Sequence, residues 1–326
     1  MDSKRLQELT KPVQADLTLF DRRLTEFLKG DSPLITSIAQ HLLKSRGKRI
    51  RPAFLFLASR AAEYYNEHTV NASLAIELIH TATLLHDDVV DNSDLRRGEE
   101  TVNFKWTNLI SVLMGDYLFA KAFRLMVETS SMALIDAISR ATERVSVGEL
   151  RQIEETSNYD LSEEEYLKII ADKTASLFAV ACEAGPILAR QNGRERRRFA
   201  EFGEKIGVAF QITDDLLDYV GSARVTGKEP GNDLITGKVT LPLIYSLHNG
   251  DRAKNKEILR ILGNGVNKGC FMKVLKYITE TGGIDYAYRR AAQIAREGLD
   301  AVKGLQDSVY YQSLRGMVDY STSRAA

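Results

Sequence analysis

Apolar side chains recur along this chain at intervals of three and four residues, which is the spacing of one face of an α-helix. Between positions 13 and 28 the pattern consists of Val13, Leu17, Phe20, Leu24, Phe27 and Leu28. Further on it consists of Leu74, Leu78, Leu85 and Val89. Prolines stand only at positions 12, 33, 52, 186, 230 and 242, so no proline interrupts helices between residues 53 and 185. The pattern predicts an all-α chain of about ten or more helices.

One predicted helix, over residues 109–123, carries apolar side chains around most of its circumference, among them Leu109, Leu113 and Phe123. Such a helix is buried either in a core or against a second subunit. Glycine and proline clusters predict turns at 29–33, 97–98, 185–186, 229–233, 249–250 and 282–283. No stretch has the composition of a linker, so we expect one domain over residues 1–326.

Charge and cysteine content narrow the class of protein. The 44 Lys and Arg residues balance 44 Asp and Glu residues, so no overall field favours nucleic acid or an anionic membrane. Cys182 and Cys270 lack the spacing of a zinc site or a disulfide framework, which fits a reducing cytoplasm. The N-terminus has no apolar signal segment, and no window approaches the ~20 apolar residues of a membrane span. These features predict a soluble cytoplasmic protein.

Two acidic clusters hold the candidate chemistry. In the first, Asp87 and Asp91 are four residues apart and share a helical face, whereas Asp88 points about 100° away. The second cluster has the same kind of spacing and consists of Gln211, Asp214 or Asp215, and Asp218. One such cluster alone is more often a solvated helix end. Two acidic helices facing each other would form a cage for hard cations.

Basic side chains lie close to these acids in the sequence. Arg96 and Arg97 follow the first cluster, and Lys228 follows the second by one loop. A separate basic segment before Pro52 contains Lys48, Arg49 and Arg51, for which a solvated helix start is the alternative interpretation. Guanidinium forks and Lys point charges suit diphosphate oxygens. His80 precedes Asp87 by seven residues and lies on nearly the same helical face. It is either a substrate contact or a buried structural histidine.

Five segments, in this order, resemble the motifs of trans-isoprenyl diphosphate synthases, most closely the octaprenyl diphosphate synthase type. They read GKRIRP, HDDVVDNSDLRRG, KTASLF, FQITDDLLDY and GNDLITGKVTLP, and the match runs from about Ile35 to His248. The resemblance implies a single large helical bundle of the isoprenoid synthase type with a central active-site cavity. It also implies a Mg²⁺-dependent transferase that condenses isopentenyl diphosphate head to tail onto an allylic diphosphate, expected to be farnesyl diphosphate. The expected product is a long all-trans polyprenyl diphosphate for quinone side chains.

The resemblance further implies roles for individual residues. The implied metal ligands are Asp87, Asp91, Asp214 and Asp218. The implied contacts of the allylic diphosphate are Arg96, Lys173, Thr174, Gln211 and Lys228, and those of isopentenyl diphosphate are Lys48, Arg51, His80 and Arg97. The residues expected to carry catalysis are Asp87, Asp91, Asp214, Lys173 and Lys228. Their task is to stabilise the departing diphosphate, so no side-chain nucleophile is required.

In this family the residues five and four positions before the first Asp line the tunnel for the growing chain, and here they are Ala82 and Thr83. Their small side chains favour a long product, octaprenyl, over heptaprenyl, nonaprenyl or the shorter farnesyl and geranylgeranyl products. A homodimer is expected, with transient membrane contact for product release. Alternatives are the catalytic subunit of a heteromeric heptaprenyl synthase, a non-catalytic subunit and a class I terpene cyclase. The last would lack the second acidic motif and GKRIRP.

Overall fold

The computed structural model describes residues 2–30, 32–44, 47–220 and 231–323. Within these ranges the regular structure is helical apart from one two-stranded hairpin. The first helices are α1 (Asp2–Thr10), a 3₁₀ turn (Lys11–Val13), α2 (Gln14–Phe27), α3 (Pro33–Lys44), α4 (Ile50–Ala61) and α5 (Thr69–Val90). The hairpin strands β1 (Leu95–Arg96) and β2 (Glu99–Glu100) come next, followed by α6 (Val102–Lys105), α7 (Asn108–Glu128) and α8 (Met132–Glu154).

The second half of the chain is also built from helices. They are α9 (Glu163–Ile170), a π-helical turn (Ala171–Ala175), α10 (Ser176–Leu188), α11 (Gly193–Val220), α12 (Asn232–Ile235) and α13 (Leu241–Asn249). The last are α14 (Arg252–Gly263), α15 (Lys268–Glu280), α16 (Gly283–Ala301) and α17 (Val309–Ser323). None of the described helices is long and apolar enough to cross a membrane.

The chain divides into two compact units. The first comprises Met1–Thr142, Leu177–Gly203 and Val302–Met317. The second comprises Glu143–Ser176, Glu204–Ala301 and Val318–Ala326. The expectation of one domain over residues 1–326 stays a prediction.

An aromatic core holds the first unit together. Phe54, Phe178 and Phe202 are fully buried, and the ring of Phe54 meets the other two edge to face at centroid distances of 5.9 and 6.3 Å. Such pairs contribute about 0.5–1.5 kcal/mol each beyond the burial of their area. A Cβ at Gly203 would lie 2.3 Å from the carbonyl oxygen of Phe178. The glycine therefore lets α11 approach α10 more closely than a larger residue would.

Helices α5 and α7 pack antiparallel in the first unit. Near one end of the pair, the side-chain amide of Asn71 donates to Glu128 at 3.2 Å. Near the other, the Ser111 hydroxyl donates to the carbonyl oxygen of Leu85 at 3.0 Å. The N-terminal half of α5 is buried on all sides from Thr69 to Ile79. This packing holds the C-terminal end of α5, with its acidic residues, beside the start of α7.

The opposite side of α7 is exposed in the single chain. Its apolar residues Leu109, Leu113, Phe123 and Val127, which we call the α7 outer face, are 67%, 55%, 51% and 65% exposed. Of the two environments predicted for this helix, burial on all sides in the core of its own chain is therefore wrong. Apolar surface of this extent is typical of an interface.

The second unit packs around the C-terminal half of α11. Ile212, Leu216 and Leu241 are fully buried in it. Nearby, the Tyr219 and Thr240 hydroxyls share a hydrogen bond of 2.6 Å. The acidic residues of α11 are thus mounted on a helix whose apolar side is held in a core.

The turn predicted at Gly185 and Pro186 is wrong, because both residues lie within α10. Proline cannot donate a backbone hydrogen bond and therefore disfavours the interior of a helix. Pro186 is compatible with α10 because the helix ends only two residues later. A Cβ at Gly185 would lie 2.4 Å from the Ser59 hydroxyl oxygen, so this glycine serves close packing. The turn at Arg97 and Gly98 is confirmed, with φ of 55° and 79°.

Candidate active site

The last turns of α5 carry a polar stripe. His80, Asp87 and Asp91 follow at intervals of seven and four residues, which places them within about 40° of one another around the helix. His80 and Asp87 are half-buried, and Asp91 is exposed. Because α5 ends at Val90, both carboxylates lie at the negative end of the helix dipole. A hard divalent cation would relieve this repulsion, and oxygen ligands are those that it prefers.

Asp88 has a different environment from its acidic neighbours. It is 3% exposed, and its carboxylate accepts a hydrogen bond of 2.7 Å from Nε of Arg96. Arg96 itself lies in β1, whose register pairs it with Glu99. Positive φ at both residues of the two-residue turn matches a type I′ hairpin. Asp88 therefore fixes Arg96 beside the first acidic cluster.

A cluster of guanidinium groups surrounds His80. Burial, followed by the charges of Arg51, Arg97, Arg96 and Arg49, lowers the pKa of His80 well below its ordinary value. Arg97 lies against the GKRIRP segment, since a Cβ at Gly47 would be 2.6 Å from its Nη1. The imidazole is therefore neutral at pH 7 in a strongly positive field, which favours an anionic ligand.

The basic segment before Pro52 divides into residues with different partners. Arg49 is held by two carboxylates, those of Asp21 at 3.2 Å and Glu77 at 2.7 Å. The guanidinium of Arg51 lies 4.7 Å from the centroid of the Phe178 ring, and Lys48 is exposed. Arg49 thus serves the fold, and the solvated helix start does not describe this segment.

The second acidic cluster lies on α11 and combines three environments. Asp214 is exposed, Asp215 is buried and Asp218 is half-buried. The two carboxylate oxygens of Asp218 accept the backbone N–H groups of Asn232 and Asp233, at 3.1 and 3.0 Å. A carboxylate oxygen can accept more than one hydrogen bond or bind a cation as well, so this arrangement is compatible with metal binding.

Asp215 belongs to a chain of hydrogen bonds. Its Oδ2 accepts from the Tyr166 hydroxyl at 2.6 Å, and its Oδ1 accepts from Nε2 of Gln211 at 2.7 Å. Oε1 of Gln211 in turn accepts from the Thr174 hydroxyl at 2.7 Å. Burial raises the pKa of Asp215 to about 6, and Asp214 adds to the rise, while the two hydrogen bonds oppose it. Both of its oxygens are therefore engaged with protein groups.

A further, half-buried carboxylate joins this cluster. Burial and the charges of Asp218 and Asp215 raise the pKa of Asp233 to about 8, against the opposing charge of Lys238. Crowded acids of this kind fit a divalent cation, whose charge would stabilise their ionised forms. No group of three or more His, Cys, Asp or Glu side chains forms a ready metal site among the described residues.

Lys173 and Thr174 lie in the π-helical turn that links α9 to α10. Such turns are frequent at functional sites. Nζ of Lys173 pairs with Glu149 of α8 at 2.5 Å. The neighbouring Gly148 lets α8 come close, because a Cβ there would lie 2.4 Å from the backbone nitrogen of Lys173. Helix α8 therefore fixes both the backbone and the charge of Lys173.

Comparison with known proteins shows the family of this chain. The family model for polyprenyl synthetase matches residues 32–278. The chain belongs to the polyprenyl synthetase family. Octaprenyl diphosphate synthase of Haemophilus influenzae is 34% identical over 323 residues, with 99% of this chain and 98% of the relative covered. The all-trans-nonaprenyl-diphosphate synthase (geranyl-diphosphate specific) of Rhodobacter capsulatus is 36% identical over 319 residues, with 98% of each covered.

A solved structure of the same family has the same fold. The crystal structure of polyprenyl synthase from Caulobacter crescentus, complexed with calcium and isoprenyl diphosphate, gives a TM-score of 0.92 at 36% identity. The superposition covers 99% of this chain and 98% of that one. The predicted all-α isoprenoid synthase fold is confirmed. This polyprenyl synthetase is a trans-prenyltransferase that extends an allylic diphosphate with isopentenyl diphosphate to a long-chain product, as predicted.

The structure brings several predicted residues together within each unit. In the first, Arg51, Arg96 and Arg97 surround His80. In the second, Thr174 and Gln211 are hydrogen-bonded. Their roles stay predictions, and Lys228 lies outside the described residues.

The two predicted tunnel residues have different surroundings on α5. Ala82 is fully buried and lies on the side of Leu85 and His86, which meet α7. His86 contacts the carbonyl oxygen of Val112 at 3.2 Å. Thr83 is half-buried, and its hydroxyl donates to the carbonyl oxygen of His80. A role in chain length remains a prediction for both.

Sequence reasoning missed Tyr166, Glu149 and Asp233. Asp233 stood within the quoted segment GNDLITGKVTLP, so the motif offered a signal. Tyr166 and Glu149 gave none, because a tyrosine and a glutamate on amphipathic helices look like ordinary surface residues. Only the packing of their helices shows which partners they meet.

Proposed function

We propose that this polyprenyl synthetase makes octaprenyl diphosphate from farnesyl diphosphate and isopentenyl diphosphate, with Mg²⁺ as its cofactor. The observation that carries the proposal is the α5 stripe. A neutral histidine among guanidinium groups and a pair of carboxylates share one helical face, which suits a diphosphate and a hard cation.

Mg²⁺ would be held by carboxylate oxygens. In the first unit the ligands are Asp87 and Asp91, and in the second Asp214 and Asp218. Bound Mg²⁺ supplies a Lewis acid for the negative charge that grows on the departing diphosphate. The oxygen-only ligand set suits a hard divalent cation, and Mg²⁺ is the one we propose.

The basic side chains bind and orient the two substrates. Arg96, held by Asp88, binds the allylic diphosphate, and so do Lys173, Thr174, Gln211 and Lys228. Lys48, Arg51, His80 and Arg97 bind isopentenyl diphosphate. Lys173 and Lys228 also stabilise the diphosphate as the allylic carbon–oxygen bond breaks. The double bond of isopentenyl diphosphate then attacks the allylic carbon, and the released diphosphate takes the proton that is lost.

The product length rests on two supports. The Haemophilus influenzae relative is an octaprenyl diphosphate synthase, and the small side chains of Ala82 and Thr83 favour a long product. A nonaprenyl product built on geranyl diphosphate is a second candidate, because the Rhodobacter capsulatus relative carries that description at 36% identity. The expected use of the product is in quinone side chains.

The assembly proposed is a homodimer in the cytoplasm. The α7 outer face supports the homodimer, since a second copy would cover Leu109, Leu113, Phe123 and Val127. Transient contact with a membrane is proposed for release of the apolar product.

The direct test is incubation with labelled isopentenyl diphosphate, Mg²⁺ and either farnesyl or geranyl diphosphate, followed by chromatography of the dephosphorylated products. The proposal expects octaprenol, best from farnesyl diphosphate, with activity lost in EDTA and restored by excess Mg²⁺. A product of another length would contradict the octaprenyl assignment. Undiminished turnover in EDTA would contradict the metal assignment.

A further inference from the structure

We propose that Tyr166 is a positioning residue that fixes Gln211, and through it Thr174, for the allylic diphosphate. The inference deepens the proposed function and rests on it. It starts from a chain of three hydrogen bonds of 2.6, 2.7 and 2.7 Å that runs from Tyr166 through Asp215 and Gln211 to Thr174.

The direction of these hydrogen bonds, from donor to acceptor, follows from the chemistry of the groups that form them. An ionised carboxylate can only accept hydrogen bonds, so Asp215 requires the amide nitrogen of Gln211 on its side. The amide oxygen must then face Thr174, whose hydroxyl donates to it. One N–H of Gln211 remains as a donor for an anion. A flipped amide would place oxygen against the Asp215 carboxylate and remove that donor.

Tyr166 matters because Asp215 has few other ways to satisfy its charge. Asp215 is 8% exposed, and the negative charges of Asp214 and Asp233 act on it against the single positive charge of Lys238. The phenol of Tyr166, itself 3% exposed, is the donor to one of the two oxygens. Without that donor the carboxylate would turn, and it would compete for the hydrogen bonds that now orient Gln211.

The same chain of hydrogen bonds also fixes the backbone that carries Lys173. Tyr166 lies on α9, and Thr174 lies in the π-helical turn that follows it. Gln211 and Asp215 are one turn apart on α11. The segment from α9 to the π-helical turn is thus attached to α11 at two points, and Lys173 immediately precedes the second.

The test compares Tyr166→Phe with Tyr219→Phe in the full-length enzyme. Tyr219 is a matched control, since it is also buried and its hydroxyl shares a hydrogen bond of 2.6 Å, but with Thr240 rather than with Asp215. We expect Tyr166→Phe to raise the KM for the allylic diphosphate about tenfold and to lower kcat, as for a lost hydrogen bond to a buried charge. The KM for isopentenyl diphosphate should not change. Tyr219→Phe should leave both KM values near those of the parent.

Equilibrium binding gives a second readout that does not depend on turnover. Tyr166→Phe should weaken the binding of an unreactive allylic thiodiphosphate, measured by calorimetry, and should add little in a Gln211→Leu background. The inference is overturned if Tyr166→Phe matches Tyr219→Phe, or raises both KM values equally. It is likewise overturned if the two substitutions act additively. Failure of the proposed function looks different, because Asp214→Ala would then retain turnover.

Discussion

A methyl group added at Gly148 would enter space that the backbone of Lys173 occupies. The new Cβ would lie 2.4 Å from the nitrogen and 2.8 Å from the Cα of Lys173. Because backbone atoms cannot move aside as a flexible side chain can, α8 and the π-helical turn would have to separate. Overpacking of this kind costs about 1–3 kcal/mol, and the better helix propensity of alanine returns about 0.5–1 kcal/mol.

Gly148→Ala should therefore lower the free energy of unfolding by about 1–2 kcal/mol. It should also lower kcat by about 10- to 100-fold, since displacement of a substrate-positioning group by about 1 Å has such an effect. Urea denaturation and steady-state kinetics measure the two changes. Gly263→Ala is the matched control, because no atom lies within 4 Å of a Cβ at that helical glycine. Parent-like stability and activity in Gly148→Ala would refute the role given to this contact.

Three further predictions concern other parts of the molecule. The free energy of unfolding of the parent should fall relative to that of His80→Gln as pH drops below about 6.5, because the depressed pKa of His80 means that the unfolded parent binds a proton that the folded parent does not. The raised pKa values of Asp215 and Asp233 act in the opposite direction but are common to both proteins, and urea denaturation over a series of pH values measures the difference. Leu113→Glu combined with Phe123→Glu should yield monomers in size-exclusion light scattering, whereas Met272→Glu, at another exposed apolar residue, should not. Thr83→Phe should shorten the product in chromatography, and an unchanged product would remove that residue from the tunnel wall.

The helical period was sufficient to predict the fold class and the position of the acidic helix faces. The stripe of His80, Asp87 and Asp91 follows from spacing alone, because a helix repeats every 3.6 residues. The hairpin strands could not be predicted from spacing, since two residues per strand are too few for an alternating pattern. The GKRIRP segment showed its charges but not their partners, so Arg49 could not be told apart from Arg51.

The features that could not be predicted from the sequence are contacts between helices that are distant in sequence. Tyr166 and Asp215 are 49 residues apart, and nothing in either local pattern connects them. The pairing of Glu149 with Lys173 likewise depends on how closely α8 packs, which is decided by Gly148. The wrong prediction of a turn at Gly185 and Pro186 has the same origin. Close packing of Gly185 against Ser59 holds a helix where local propensity favours a break.

The metal-binding role of the two acidic clusters is tested most directly by the incorporation of labelled isopentenyl diphosphate at saturating Mg²⁺ in Asp87→Ala and Asp214→Ala. Glu201→Ala removes an exposed carboxylate of α11 outside the cluster and serves as the control. We expect turnover to be nearly abolished in the two aspartate variants, with helical content unchanged by circular dichroism, and to be parent-like in the control. Incorporation close to the parent rate in either aspartate variant would contradict the account.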